Sequence, residues 1–306
     1  MNSSLSRRAW LALACAGGSG LLAACGSGSV VSDLKPARFL TVGDAFMDVG
    51  QNGYRFTVND GSLNWVQQLA AHYDLVVSAA TSGGWGYAQG HAMVEAEDST
   101  SGTQAPSVAA QIDTLLARTT FDAGSDVVMV GGGIADIVHA VNTSGISDTT
   151  TATVRAAGTA LGQQVRRLRA AGARHIVAMG VYNLGHTPWA RGLGLESEVS
   201  ALSTDFNSAL LLELSTIIDN TVQTLDPAQF FNLMFNNRRG FPLDNERDPV
   251  CTTPDATTCT TDTLLPGVDY NRYLWADGLH LTPAAQRMFA SESHSGNALS
   301  VFRRRW

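Results

Sequence analysis

The feature that most constrains this chain is an alternation of short, nearly continuous apolar runs with longer amphipathic stretches. Residues 38–43 (RFLTVG), 74–80 (DLVVSAA), 126–131 (DVVMVG) and 174–180 (RHIVAMG) are strand candidates. Runs without polar alternation suit parallel strands covered on both faces. Between them lie helical patterns. SLNWVQQLAAHY has Ser62 as N-cap candidate, and PSVAAQIDTLLAR carries Pro106 in its first turn. TATVRAAGTALGQQVRRLRAAG sets Val154, Leu161, Val165 and Leu168 on one face, with Gly172 at its C-terminal end. EVSALSTDFNSALLLELSTIID is a further helix. Strands alternating with helices predict an α/β protein: a three-layer α/β/α sandwich around a parallel sheet of about five strands. At 306 residues and 44% hydrophobic composition, the chain can bury a large core.

The N-terminus reads as a targeting segment. Arg7 and Arg8 precede a short apolar stretch that ends in Leu22-Ala23-Ala24-Cys25. The stretch is too short and too Gly-rich for a stable membrane span. Small residues before a cysteine, followed by a Gly-Ser linker, resemble a bacterial lipoprotein signal with Cys25 as the lipidated residue. The expected organisation is a signal over 1–24, a flexible tether over 25–37 and one domain over 38–306. The protein is expected at the bacterial cell envelope, held to the membrane by an N-terminal lipid anchor. Without residues 1–24 the formal charge moves from -7 to -9. An acidic chain with no basic run in its folded part argues against nucleic-acid binding.

Of the 4 cysteines, Cys251 and Cys259 bracket a short Pro-containing loop. In an oxidising compartment that loop can close a disulfide. Two cysteines with no His or Cys nearby do not make a zinc site, so no metal site is expected.

Ligand sites in parallel α/β sheets lie outside the carboxyl ends of the strands. There the chain places Gly43-Asp44-Ala45, then TSGGWGYAQGHA, then GGGIADI, then VYNLGHTPWA. Near the C-terminus, WADGLHLTP sets Asp277 three residues before His280, beside Trp275. On a turn, that spacing lets a carboxylate fix the tautomer of an imidazole whose other nitrogen faces a pocket.

These blocks, taken together and in order, resemble the GDSL or SGNH family of lipases and esterases over nearly all of residues 38–292. FLTVGDAFMDVG resembles its Gly-Asp-Ser-Leu turn, GYAQGHA its second block and GGGIADI its Gly-x-Asn-Asp block. NNRRGFPLDNERDPVC is similar to its Gly-Phe segment, and WADGLHLTPAAQRMFA to its Asp-x-x-His block. The resemblance implies the family's flavodoxin-like fold, ester hydrolysis without a cofactor, and His280 and Asp277 as base and orienting acid. It implies an oxyanion hole from the position of Ala45, from Gly90 and from the position of Ala135. A small-molecule ester or lipid ligand and a monomeric state are expected.

Two positions depart from the family pattern. The nucleophilic serine falls on Ala45 and the oxyanion asparagine on Ala135. Losing one oxyanion donor costs roughly a hundred- to a thousand-fold in rate. Losing a triad nucleophile costs about a million-fold. The resemblance therefore implies an esterase scaffold with little or no acyl-enzyme activity, or a binding protein for a lipid or glycan on the same frame. Thr41 and Ser82 are the nearby hydroxyls; Thr41 is expected inside the sheet.

Overall fold

The computed structural model describes residues 33–98, 101–237, 240–291 and 296–303. The signal segment and Cys25 lie outside the described residues, as does most of the tether. Four strands form one parallel sheet in the order β1 (Arg38–Val42), β2 (Asp126–Val130), β3 (His175–Met179) and β4 (Val222–Leu225). All of β2 is buried, and the rest of β1 after Arg38 is buried too. That burial explains why these runs carry no polar alternation. At the start of β1, Arg38 grips both oxygens of Asp126 through Nε and Nη2, with Nε 2.8 Å from Oδ1.

The strand expected at 74–80 does not form. Its place beside β1 goes to a later segment. Thr41 N–H donates to Trp85 O, and Tyr87 N–H and Gln89 N–H donate to Thr41 O and Gly43 O. Residues 78–80 lie outside that segment, joined to it by Gly86 N–H to Ser78 O and Ala80 N–H to Gly86 O. The fifth position is thus a bridged, irregular edge, and Val76 is 88% exposed. The reason is local. Ser78 and the glycines at 83, 84 and 86 turn the chain back on itself before a ladder can extend. β4 gives no readable signal, because four residues with a polar Gln223 and Thr224 are too short for a pattern.

The chain leaves β1 toward this edge and returns on its other side at β2. That reversal of direction sits where β1 ends and is the position at which open α/β sheets bind ligands. Helices α2 (Val108–Arg118), α3 (Ile134–Ser144) and α6 (Glu196–Leu214) pack with α4 (Asp148–Ala170). Helix α1 (Trp65–Ala71) packs on α8 (Pro283–Ser291), and α8 on α9 (Ala298–Phe302). The predicted face of α4, Val154, Leu161, Val165 and Leu168, is fully buried. A Cβ on Gly158 would sit 2.3 Å from Phe206 O, so this glycine sets how closely α4 and α6 approach.

Two helix starts differ from expectation. Asn64, not Ser62, caps α1 in a capping box with Gln67, because its amide also bonds Asp48 O. Ser107 caps α2 from just outside it, so Pro106 precedes the helix instead of standing in its first turn. Ala171 ends α4, and Gly172 follows with φ +105°. Beyond the main sheet, α5 (Pro188–Leu193) and α7 (Pro227–Asn236) precede a small parallel pair, β5 (Asn245–Pro249) with β6 (Tyr273–Trp275). β6 leads directly into Asp277 and His280. No described helix is long and apolar enough to cross a membrane.

Candidate active site

Each functional side chain follows directly from an element end. β6 delivers Asp277 buried, and α8 opens just after His280, with Thr282 Oγ1 capping Ala285 N–H. Nδ1 of His280 lies 2.8 Å from Asp277 Oδ2 and 3.0 Å from Oδ1. Asp277 also accepts N–H bonds from Leu279, His280 and Ala256. The last comes from the Cys251–Cys259 loop, which is closed by a disulfide with Cα atoms 5.8 Å apart. Burial alone would raise the Asp277 carboxyl. The His280 charge and these bonds outweigh it and hold the carboxyl below its ordinary range. Burial would likewise lower His280, yet the Asp277 carboxylate raises it. The pair is thus an imidazole with one nitrogen occupied by a carboxylate. Its Nε2 has no hydrogen-bond partner among the described residues.

The turn after β1 is built from backbone. Asp44 is buried, and its carboxylate accepts Phe46 N–H and Ile134 N–H. The second bond spans the turn and the start of α3, so it sets Ala45 beside Ala135. Burial raises the Asp44 carboxyl, against those two bonds and the charge of His280. Gln111 on α2 bonds both backbone groups of Gly43 and completes the strand end.

Asp44, Ala45, His91, Ile134, Ala135, Val138, Leu279 and His280 enclose a cavity of about 50 Å³. It brings together Ala45, Ala135 and His280 from distant parts of the chain. None of its lining side chains carries a hydroxyl or a thiol. Thr41 is fully buried in β1 and Ser82 is exposed in the second loop; neither lines the cavity.

Gly90 is placed differently from expectation. Its N–H donates to Asp48 Oδ2 at 2.9 Å and is not free for an oxyanion. A Cβ at Gly90 would lie 1.8 Å from Phe56, so its glycine is a packing requirement. The neighbouring residue is the one that reaches the cavity. His91 adopts φ +67°, uncommon for a residue with a side chain, and lines the cavity itself. Its ring meets Phe56 edge-on at 5.3 Å, and Phe56 packs on His280 at 5.0 Å. Burial and the nearby His280 keep the His91 imidazole below its ordinary pKa. Sequence reading passed over His91. The signal available was a histidine directly after the block's glycine.

Among the described residues, the backbone N–H groups of Ala45, His91 and Ala135 donate to no acceptor. Ala135 stands in the first turn of α3, where N–H groups lack helical partners and the helix dipole favours negative charge. His91 and Ala135 also line an adjoining cleft of about 250 Å³, with Met93, Asp98, His139 and Asn142 among its other walls. Asp136 has both oxygens on Val94 N–H, and burial pushes its carboxyl up to about 7. Among the described residues no group of three or more His, Cys, Asp or Glu could hold a metal.

The model of the GDSL-like lipase/acylhydrolase family matches residues 39–293. A GDSL esterase/lipase of Arabidopsis thaliana is 30% identical over 131 residues, which is 42% of this chain and 37% of that protein. The chain thus spans little more than a third of that relative's length. Among solved structures, Est24, a carbohydrate acetylesterase from Sinorhizobium meliloti, has a TM-score of 0.43 at 12% identity, covering 82% of this chain and 93% of its own. A protein from Lactobacillus plantarum has a TM-score of 0.42 at 13% identity, covering 74% and 89%. Likeness at that level adds nothing to the family match, which spans most of the chain. The chain belongs to the GDSL-like lipase/acylhydrolase family.

Proposed function

We propose that this protein is an envelope lipoprotein on a GDSL esterase scaffold that cannot form an acyl-enzyme. One observation carries the reading: the cavity at His280 has Ala45 at the nucleophile position and no other hydroxyl or thiol in its lining. Acyl transfer through an enzyme ester needs such a group beside the base. Ala135 removes a side-chain oxyanion donor and leaves its backbone N–H, so electrostatic stabilisation is reduced rather than lost. The lipoprotein part rests on the Leu22-Ala23-Ala24-Cys25 box and the flexible tether after it.

The experiment is exposure of the purified protein to a fluorophosphonate probe, followed by intact mass and peptide mapping. No adduct is expected. An adduct on any serine overturns the reading. Labelling cells with a palmitate analogue tests the anchor, which should vanish with Cys25→Ala. The second reading, a binding protein for a lipid or glycan, is favoured by the 250 Å³ cleft, whose His139 and Asn142 offer hydrogen bonds to a hydroxylated ligand.

A further inference from the structure

His280, oriented by Asp277, lines one small cavity together with Ala45, His91 and Ala135, whose backbone N–H groups have no acceptor among the described residues, and that arrangement has a chemical use that needs no nucleophilic side chain. We infer that the site hydrolyses short-chain esters by single displacement, with a water molecule attacking from beside Ala45 and His280 as general base. This rests on the absence of an acyl-enzyme proposed above. A water needs roughly 10–15 Å³ of space and two to four polar partners. The cavity of about 50 Å³ supplies the space. The partners are His280 Nε2, which accepts from the water, and the N–H group of Ala45, which donates to it.

The step balances without a further reagent. The water oxygen bonds to the ester carbonyl carbon while one of its protons passes to His280 Nε2. The carbonyl π electrons move to the oxygen, which takes bonds from the N–H groups of His91 and Ala135. The tetrahedral species then expels the alkoxide as its C–O bond breaks. His280 returns the proton to that alkoxide, and the products are an alcohol and a carboxylic acid. Asp277 holds Nδ1–H throughout and stabilises the imidazolium. The adjoining 250 Å³ cleft takes the remainder of the substrate. The small cavity restricts the acyl group to a short chain.

The test uses phenyl acetate with the intact protein and with His280→Gln, whose amide retains a hydrogen bond to Asp277. A positioned general base contributes on the order of a hundredfold or more. Wild type is expected to exceed His280→Gln by about a hundredfold, with linear progress curves from the first turnover and no covalent adduct by mass spectrometry. Ala45→Val fills the water position and leaves the base intact; it should lower the rate to the His280→Gln level while keeping the native circular dichroism spectrum. Equal rates for wild type and His280→Gln, without any adduct, overturn this inference and leave the proposed function standing. A burst with an acylated histidine or an acylated serine is an acyl-enzyme and overturns both.

Discussion

On one side of the cavity stands His280 with Asp277 behind it, and four N–H groups converge on that single buried carboxylate. On the other side stand Ala45 and Ala135, two methyl groups on turns held by backbone bonds to Asp44. On the function proposed above, the acid–base arm keeps its side-chain chemistry and the nucleophile arm keeps only its main chain. The turn keeps its shape because Asp44 and Gln111, rather than residue 45, hold it. A serine at position 45 is therefore not needed for folding, whereas Asp277 supports three backbone donors as well as His280. Side chains can be lost where the backbone is held by others; they cannot be lost where they hold the backbone.

The largest expected effect comes from repairing the weaker arm. Ala45→Ser with Ala135→Asn should raise phenyl acetate hydrolysis about a thousandfold or more, since a triad nucleophile is worth about a million-fold and an oxyanion donor roughly a hundred- to a thousand-fold. The measurement is initial rate plus fluorophosphonate labelling at position 45. No gain would mean that the two arms are no longer in register. Breaking the stronger arm should cost stability. Asp277→Ala leaves the N–H groups of Ala256, Leu279 and His280 without their acceptor, and loss of one partner of a buried pair costs about 3–5 kcal/mol. Urea denaturation reads this directly. A loss below about 1 kcal/mol would show that the carboxylate does not organise the loop.

A smaller effect follows from opening the disulfide beside that arm. Cys251→Ala with Cys259→Ala should lower stability by about 2–3 kcal/mol for a loop this short. Urea denaturation of the double variant beside the oxidised wild type measures this loss, and equal midpoints would show that the bridge does not stabilise the loop. A pH-dependent effect belongs to Asp136, on the nucleophile arm. Its carboxyl is raised to about 7 by burial, so the folded protein prefers the protonated form. The fold consequently loses stability as pH rises from the ordinary carboxyl range through about 7, the opposite of a salt-bridged acid. Asp136→Asn should remove that slope in denaturation curves between pH 5 and 8. An unchanged slope would assign it to another group.

Much of the site was legible in the chain. β1, β2 and β3 announce themselves as apolar runs, and Asp277 with His280 by spacing and neighbours. The substitutions at 45 and 135 can be named from sequence because the blocks around them are intact. Other parts were not legible. The 74–80 segment has strand composition but loses its place beside β1 to residues 85–89, a competition between two stretches for one edge. Ser62 is a good cap by residue type, but Asn64 wins through a bond to Asp48 O, sixteen residues away in sequence. Gly90 looks like an oxyanion donor, and only folding shows its N–H turned to Asp48 and its Cα pressed on Phe56.

What the sequence determined by itself is the alternation that makes a parallel sheet, the family membership, and the chemical fact that residue 45 has no hydroxyl. Those are properties of composition and order, and no conformation can alter them. What only the tertiary structure decided is which donors remain free. A backbone N–H belongs to every residue except proline, so sequence cannot rank one above another. Packing spends the Gly90 N–H on a buried carboxylate and leaves those of Ala45, His91 and Ala135 around one cavity with His280.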